Sequence, residues 1–485
     1  MTVPPMIPEM IPATIRRHWM LATLILLGAA LRVVTLLAYH PALIFPDSVR
    51  YLQYAHNFAH GHWTLDGERQ SGYSILIIPP VALNALWLIP LVQHLAGLAT
   101  ALVTYVVLIR LGARRWLAAL ATVPVLFDPL QLIGEQYVLT DVWTALLLLA
   151  ALAILVWRQD SLTAKAAAAA GLLLGLAVTF RDQELIMIVP AAGYVLATVR
   201  PSRRKLRTLM ALIGAFAVPV AGYLGWFDAS HGQWNFSTFT GAFLYGRVAD
   251  FADCGGLAMP AYEKPLCPTQ PARDRVADFY TWNPASPQWT FTPPRGKSRD
   301  SVVEDFSLRI LRHQPLAYAE AAARDFLYGF SPARGSGPEH YPLSGYLRFQ
   351  QHIKPDTQAD ASLAAIGIKP PRSRPGIAAF LQDYGQDFYI PGPLFAAALL
   401  LGLAGCLPLR NRAPGNRSAC VLFTASAIVV LIPPALFATF DWRYQLPQLS
   451  FIPIAAVLAT PAVRSAAYPD RETPRTPSAI RTHLP

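Results

Sequence analysis

The chain has 485 residues, of which 54% are hydrophobic and only 14% are charged, and its formal net charge is +11. A soluble globular protein carries roughly 25% charged residues, so this composition excludes an ordinary soluble domain and indicates a multi-pass membrane protein. The positive charge does not indicate nucleic-acid binding, because the basic residues cluster between apolar runs, as they do at the cytoplasmic ends of membrane helices.

The N-terminal part of the chain predicts one membrane span followed by an outer loop. Residues 1–18 are predicted to be a cytoplasmic tail, and the apolar run 19–39 to cross outward as an uncleaved signal anchor. Arg32 lies inside this run, where it either reaches the interface or faces the protein interior as a counter-charge. The first outer loop, 40–73, contains an amphipathic stretch whose spacing predicts an interfacial helix.

Further apolar runs predict nine more spans. Prolines at 79, 80 and 90 indicate that 74–90 is an interfacial or re-entrant piece. Residues 228–390 hold no span-length apolar run, which predicts a large extracytoplasmic loop domain with helices of its own, one of them interrupted near Pro315. The fold class is therefore an all-α integral membrane protein of about ten transmembrane helices. The later spans are predicted at 91–109, 116–127, 142–157, 166–180, 185–199, 208–227, 391–409, 418–438 and 447–463.

The distribution of charge supports this topology. Four predicted inner loops hold 13 Lys or Arg and one acidic residue, whereas three short outer segments hold six acidic residues and two arginines. This asymmetry follows the positive-inside rule and predicts that both termini are cytoplasmic. The chain then divides into a tail, an N-terminal membrane module, the large outer loop, C-terminal membrane helices and a second tail, at 1–18, 19–227, 228–390, 391–463 and 464–485.

Two of the four cysteines lie in the large outer loop. Cys254 and Cys267 are 13 residues apart, and a disulfide between them is predicted because that compartment is oxidising. The alternative is two free thiols. Cys406 and Cys420 lie near the inner ends of predicted spans and are expected to be packing residues.

Charged residues recur at the outer ends of successive predicted spans. Arginines hold phosphate through paired hydrogen bonds, and a carboxylate can deprotonate a hydroxyl nucleophile. The pattern predicts a site at the outer face, reached by a lipid from the side and by an acceptor from outside. Its segments are Asp47 to Arg50, Glu68-Arg69, Glu135 to Asp141, Arg181 to Glu184, and Asp441 to Tyr444.

Five short motifs in this order resemble the GT-C glycosyltransferases that use a polyprenyl-phosphate sugar donor, a group that includes protein O-mannosyltransferases and the aminoarabinose transferases of lipid A. The resemblance covers roughly 16–210 and 391–463. Ser48 stands where the family often has a second acid, and Arg69 where it often has lysine. The motifs are Pro46-Asp47-Ser48-Val49-Arg50-Tyr51, Glu68-Arg69-Gln70-Ser71-Gly72-Tyr73, Leu139-Thr140-Asp141, Arg181, and Arg443-Tyr444-Gln445-Leu446-Pro447.

The resemblance implies a role for each matching residue. Asp47 would be the catalytic carboxylate, and its alternative is a helix cap. Phosphate contacts would come from Arg69, Arg181 and Arg443, and Tyr245-Gly246-Arg247 in the large loop suggests Arg247 as a fourth. Substrate contacts would come from Arg50, Tyr51, Tyr73, Asp141 and Tyr444. A divalent metal ion could bind at Glu68 and Asp141.

The function implied is transfer of a sugar from a polyprenyl-phosphate carrier to a lipid, glycan or protein acceptor at the outer face of the cell membrane. The alternatives are a lipid or solute transporter or flippase, and an envelope scaffold with no activity. A transporter predicts charges near the bilayer midplane and paired broken helices, whereas most charges here fall at the ends of spans.

Overall fold

The computed structural model describes residues 16–158, 161–335, 346–408 and 414–460. Within these ranges the regular structure is almost entirely helical, which agrees with the all-α fold class. The one sheet there is an antiparallel pair of two-residue strands, Tyr39–His40 and Arg372–Ser373. Nearly all of the two predicted cytoplasmic tails lies outside the described residues.

The N-terminal half alternates long apolar helices with short helices at loops. A 3-10 helix, Asp182–Met187, follows the fifth predicted span. The α-helices are Trp19–Ala38, Pro46–Ala59, Gly72–Leu76, Ile78–Ala82, Leu88–Arg110, Arg115–Leu120, Val123–Phe127, Pro129–Gln136, Asp141–Val156, Ala164–Phe180, Ile188–Thr198 and Ser202–His231.

The C-terminal half holds the outer loop and the last apolar helices. The helix predicted to break near Pro315 does so, since one helix ends at His313 and the next begins at Pro315. Short 3-10 helices lie at Lys264–Leu266, Ala272–Asp274 and Trp442–Gln445. The α-helices are Thr240–Ala249, Ala277–Trp282, Pro287–Thr290, Arg299–His313, Pro315–Tyr328, Thr357–Ala364, Pro375–Asp387, Gly392–Cys406, Pro414–Val429, Ile432–Phe437 and Gln448–Leu458.

Fewer helices than the ten predicted spans are long and apolar enough to cross a bilayer alone. Four qualify in the described part of the chain, or up to six if each of two bent pairs is counted as one span. The bent pairs are Arg115–Phe127 with Pro129–Gln136, and Pro375–Asp387 with Gly392–Cys406. The four single helices are Trp19–Ala38, Leu88–Arg110, Ser202–His231 and Gly415–Phe437. The ten-span topology therefore stays a prediction.

Two glycines let a pair of these helices pack with their backbones nearly touching. Gly171 and Gly175 lie one turn apart on Ala164–Phe180, facing Ser202–His231. A Cβ atom at Gly171 would overlap the backbone carbonyl of Leu212, and one at Gly175 would overlap that of Phe216. Small residues four apart are a common means of close helix association in membranes, where packing rather than water exclusion holds helices together.

A buried ion network joins the first three long segments of the membrane module. Arg32 donates to the Glu135 carboxylate at 2.7 Å and to backbone carbonyls of Leu126 and Val125 at 3.0 Å. His94 contacts the other oxygen of Glu135 at 2.6 Å. Arg32 thus faces the protein interior. The sequence predicts that Glu135 lies near the outer end of a span, and in the fold its carboxylate is fully buried rather than exposed.

The outer loop has its own apolar core around the helices Thr240–Ala249 and Arg299–His313. Asp300, in the first turn of the second helix, accepts hydrogen bonds from the backbone N–H groups of Gly241 and Ala242 and so ties the two helices together. A disulfide joins Cys254 and Cys267 beside this core. The loop is thereby fixed as a folded unit, and one of its helices reaches the cluster described next.

Candidate active site

Asp47 lies in the first turn of the helix Pro46–Ala59, just after the first long apolar helix. Pro46 starts the helix, and the Ser48 hydroxyl accepts from the N–H of Phe45 and donates to the carbonyl of Val138, which fixes this turn against the membrane module. Phe45, not Asp47, takes the N-cap position, and the capping hydrogen bond at this end is the one that Ser48 accepts from the Phe45 N–H. The carboxylate is therefore free of the capping role considered as its alternative.

Two arginines from distant parts of the chain bind the two oxygens of Asp47. Arg69 Nη2 donates to Oδ1 and Arg443 Nη1 donates to Oδ2, each at 2.7 Å. All three side chains are at least 86% buried. Burial alone would raise the pKa of the Asp47 carboxyl, but the two guanidinium groups hold that pKa well below its usual range. Asp47 is therefore ionised at every physiological pH.

A second pair lies beside the first and is joined to it by one aromatic ring. Arg181 donates to Asp141. The Arg181 guanidinium carbon lies 4.6 Å from the centre of the Tyr444 ring, and that of Arg443 lies 5.5 Å from it. Arginine stacks readily on aromatic faces, and the Tyr444 ring, which is uncharged, contacts both guanidinium groups without neutralising either.

Aromatic residues also hold the other two arginines in place. The Arg69 guanidinium carbon lies 4.6 Å from the ring centre of Trp282 and 5.5 Å from that of Phe243, both in the outer loop. Arg443 lies 4.6 Å from the ring of Phe45. The large loop thus contributes directly to the cluster. The sequence motifs that carry the resemblance lie outside this loop.

The cluster has balanced charges and unused hydrogen-bonding capacity. Asp441 lies 2.8 Å from Arg443 Nε and completes a set of three arginines and three aspartates. Within the described residues, Arg69 Nε and Asp141 Oδ2 are buried with no hydrogen-bond partner. Buried polar groups are nearly always paired, so each unpaired atom needs an explanation, and a bound ligand that supplies the missing partners is one.

Four other residues expected to contact substrate or metal have partners of their own. Arg50 donates to Glu68 at 2.5 Å and lies 2.6 Å from Asp66. Tyr51 packs edge-on against Tyr73 with ring centres 5.3 Å apart, and both are buried. The Tyr73 hydroxyl donates to Gln93 at 2.7 Å. Tyr51 and Tyr73 therefore support the helix that carries Asp47 rather than facing an open site.

The metal hypothesis is not supported by the placement of its two ligands. Glu68 is paired with Arg50, and Asp141 with Arg181. No group of three or more His, Cys, Asp or Glu side chains able to hold a metal ion occurs among the residues described. The two carboxylates are counter-ions of arginines, which accounts for their position without a metal.

Arg247 bonds to residues outside the cluster, and its predicted contact with the donor phosphate stays a prediction. Its guanidinium is fully buried, donates to Asp325 at 2.5 Å and to Asp250 at 3.2 Å, and reaches the carbonyl of Ala438 at 3.3 Å. Asp325 also accepts from the N–H of Phe440. Arg247 thus ties the outer loop to the segment before Asp441, which is a structural task.

Comparison with known proteins gives one family. Residues 85–231 match the family of dolichyl-phosphate-mannose-protein mannosyltransferases. No curated protein matches the chain.

Solved structures with some similarity have low identity. The Saccharomyces cerevisiae protein O-mannosyltransferase Pmt1-Pmt2 complex bound to its sugar donor is 16% identical over 49% of this chain and 37% of that one, with a TM-score of 0.37. The Archaeoglobus fulgidus oligosaccharyltransferase is 15% identical over 91% and 50%, with a TM-score of 0.43. ArnT from Cupriavidus metallidurans is 16% identical over 86% and 78%, with a TM-score of 0.35.

The chain spans half or less of the yeast and archaeal proteins. The family match over 85–231 contains Asp141 and Arg181, two of the residues that carry the resemblance seen in the sequence. This match agrees with the resemblance seen in the sequence over that part of the chain.

Proposed function

We propose that this protein transfers a sugar from a polyprenyl-phosphate carrier to the hydroxyl group of an acceptor at the outer face of the cell membrane. The observation that carries the proposal is the convergence of Arg69 and Arg443 on Asp47, from segments separated by most of the chain. Arg181 is held next to them across the Tyr444 ring. The family match supplies the class of donor.

The arginines fit the phosphate of such a donor. Guanidinium groups bind phosphate oxygens through paired charge-assisted hydrogen bonds, and Arg69 Nε has a buried N–H with no partner in the described structure. As the bond between sugar and phosphate breaks, the phosphate gains a negative charge. Cations already fixed nearby, Arg69, Arg181 and Arg443, stabilise that charge more in the transition state than in the ground state.

Asp47 has two possible roles in this reaction, general base or orientation of the acceptor hydroxyl. A carboxylate with a strongly lowered pKa is a weak base, because it holds a proton poorly. It remains a strong hydrogen-bond acceptor. The two-arginine clamp therefore favours orientation of the hydroxyl and alignment of the arginines as the task of Asp47.

The membrane arrangement in the proposal follows the charge asymmetry of the loops. Asp47, Asp141 and Arg181 all lie at ends of apolar helices that the positive-inside rule assigns to the outer face. A carrier lipid would reach this level from within the bilayer, and an acceptor from the aqueous side. Ten spans, with both termini cytoplasmic, remain part of the proposal.

The transporter alternative gains no support from the charges inside the membrane module. Arg32 and Glu135 lie within apolar segments, as a transporter would require, but they are bonded to each other. Arg32 also donates to two backbone carbonyls, and Glu135 also contacts His94. Buried ionisable groups that satisfy each other in this way stabilise helix packing and leave no free charge to bind a transported solute.

Lipid analysis of a strain that lacks the chain tests the proposal. If the protein consumes a polyprenyl-phosphate sugar, that lipid should accumulate in the deletion strain and return to its normal level when the wild-type chain is restored. Mass spectrometry of the lipid extract would also identify the sugar and the carrier length. An unchanged pool of polyprenyl-phosphate sugars would contradict the proposed function.

A further inference from the structure

One carboxyl group near the cluster has no structural explanation. Asp278 lies on the short helix Ala277–Trp282 of the large outer loop. Trp282, one turn later on the same helix, stacks on the Arg69 guanidinium at 4.6 Å. Residues four apart on a helix share a face, which places Asp278 on the same side of this helix as Trp282. Its charged neighbours are Asp441, Arg443 and Asp47.

One carboxylate oxygen of Asp278 has no hydrogen-bond partner among the described residues. Its Oδ2 atom is buried and makes no hydrogen bond in the part of the chain that the structure describes. Asp300, another partly buried carboxylate of the same loop, differs in that it accepts from two backbone N–H groups and joins two helices. Burying a carboxyl group without a hydrogen bond costs free energy, and no capping or bridging task offsets that cost at Asp278.

The same surroundings bring the pKa of the Asp278 carboxyl group into the physiological range. Burial raises the pKa of Asp278 to about 7, the negative charges of Asp441 and Asp47 add to the rise, and Arg443 opposes it. Among the described residues, Thr240–Ala249 and Pro287–Thr290 are the helices with the most contacts to Ala277–Trp282, and neither adds an unpaired charge. Arg247 on Thr240–Ala249 is bonded to Asp325, and Pro287–Thr290 carries no ionisable group.

We propose that Asp278 is the residue that accepts the proton of the acceptor hydroxyl, within the glycosyl transfer proposed above. The hydroxyl oxygen forms a bond to the anomeric carbon of the sugar and its proton passes to Asp278 Oδ2. The bond between that carbon and the phosphate oxygen breaks, and its electron pair leaves with the polyprenyl phosphate. Asp278 becomes neutral as the phosphate gains one negative charge, so total charge is conserved.

This assignment gives Asp47 and Asp278 different roles because their environments are opposite. Asp47 is clamped by Arg69 and Arg443 and stays ionised, so it orients groups. Asp278 is unpaired and exchanges a proton near neutral pH, where a general base works best. Pairs of titratable groups whose environments push their pKa values apart are a recurring sign of such a division.

The protonation of Asp278 can be measured without any substrate. An apolar carbodiimide, dicyclohexylcarbodiimide, reacts with protonated buried carboxyl groups. In the purified full-length protein we expect the peptide that contains Asp278 to be labelled below pH 7 and protected well above pH 7. The same peptide of the Asp278→Asn variant should not be labelled. Labelling that is absent at low pH, or that does not change with pH, would overturn the proposal.

The role in transfer needs a second measurement. Turnover is followed with the polyprenyl-phosphate sugar extracted from the deletion strain, using Asp278→Asn, Asp278→Glu and the control Asp274→Asn. Asp274 lies in the same loop and is largely exposed. Loss of a general base lowers the rate about 10²–10⁴-fold, so Asp278→Asn should fall in that range. Asp278→Glu should recover part of the rate, and the control should match wild type.

The pH profile and the binding of donor separate this role from a structural one. Wild-type turnover should rise with pH through about 7, because the ionised form of Asp278 is the active one. Asp278→Asn should lose this rise while it still binds donor and keeps the Cys254–Cys267 disulfide.

Turnover of Asp278→Asn within a few-fold of wild type would refute the assignment and leave the proposed function intact. If the deletion strain accumulates no donor, the proposed function fails and this catalytic role fails with it, whatever the labelling shows.

Discussion

Arg443 and Asp47 are 396 residues apart in the sequence, yet Arg443 Nη1 donates a 2.7 Å hydrogen bond to Asp47 Oδ2. The bond joins the first outer loop to the segment before the last apolar helix. Arg69 binds the other oxygen of the same carboxylate. The two ends of the membrane protein therefore meet at a single ionised side chain.

Replacement of Arg443 should weaken donor binding. Each charge-assisted hydrogen bond contributes about 1.5–3 kcal/mol, so Arg443→Ala should raise the Kd for polyprenyl phosphate roughly tenfold to 150-fold. Arg443→Lys should recover only part of this, because an ammonium group lacks the planar fork that faces Asp47 and Asp441 at once. Binding is measured by titration of the purified protein with polyprenyl phosphate.

The control for this experiment is Arg273→Ala. Arg273 lies in the outer loop with its side chain 85% exposed, so its loss removes one positive charge without touching the cluster. An equal loss of affinity in the control would mean that general electrostatic attraction, and not the clamp on Asp47, binds the phosphate.

The Tyr444 ring should matter more than its hydroxyl. The ring lies between Arg181 and Arg443, and a cation–π contact contributes about 0.5–2 kcal/mol. Tyr444→Leu should therefore weaken donor binding roughly twofold to 30-fold, whereas Tyr444→Phe should stay within about twofold of wild type. A loss of equal size in both variants would assign the effect to the hydroxyl group.

The sequence predicted most of this cluster and could not have predicted the rest. Asp47, Arg69, Arg181 and Arg443 stand in short motifs next to apolar runs, so their common location follows from the chain crossing the membrane back and forth. Trp282 and Asp278 stand in no motif and depend on how the outer loop folds back, which no local pattern records. Loop residues of this kind are visible only once the tertiary contacts are known.

Two charged residues have partners that no local pattern in the sequence indicates. Arg247 is bonded to Asp325, which lies 78 residues further along the chain. Glu135 is buried against Arg32, and a bend of 50° separates Arg115–Phe127 from Pro129–Gln136, the helix that carries Glu135. In both cases the counter-ion is distant in the sequence, so the pairing is visible only in the fold.

Close packing at Gly171 should be intolerant of a single methyl group. Gly171→Ala places a Cβ atom into the backbone carbonyl of Leu212, which cannot move away as a flexible side chain could. Overpacking of this kind costs about 1–3 kcal/mol. Gly193→Ala is the matched control, because it lies on an apolar helix with no atom within 4 Å of the added Cβ. Thermal unfolding in detergent should show a lower Tm for the first variant and an equal or higher Tm for the second.

The orientation of the loops can be tested with single cysteines. Ser202 and Ala285 are both exposed, and the topology places the first inside and the second outside. Ser286 is unsuitable for the outer position because it is buried with its hydroxyl bonded to the carbonyl of Tyr280. An impermeant thiol reagent should label Ala285→Cys in intact cells and should reach Ser202→Cys only after lysis. The reverse pattern would invert the topology and move the cluster to the cytoplasmic face.

The most direct test of the central claim is the donor-lipid content of a deletion strain that carries Asp47→Asn. Asparagine keeps the size of the side chain but cannot hold two arginines by charge, so the variant should fold and reach the membrane while the reaction fails. We expect polyprenyl-phosphate sugar to accumulate as it does in the deletion strain without any copy of the protein. The Cys254–Cys267 disulfide should still form in the variant. Donor lipid at the wild-type level in the Asp47→Asn strain would show that Asp47 is not part of a glycosyl-transfer site.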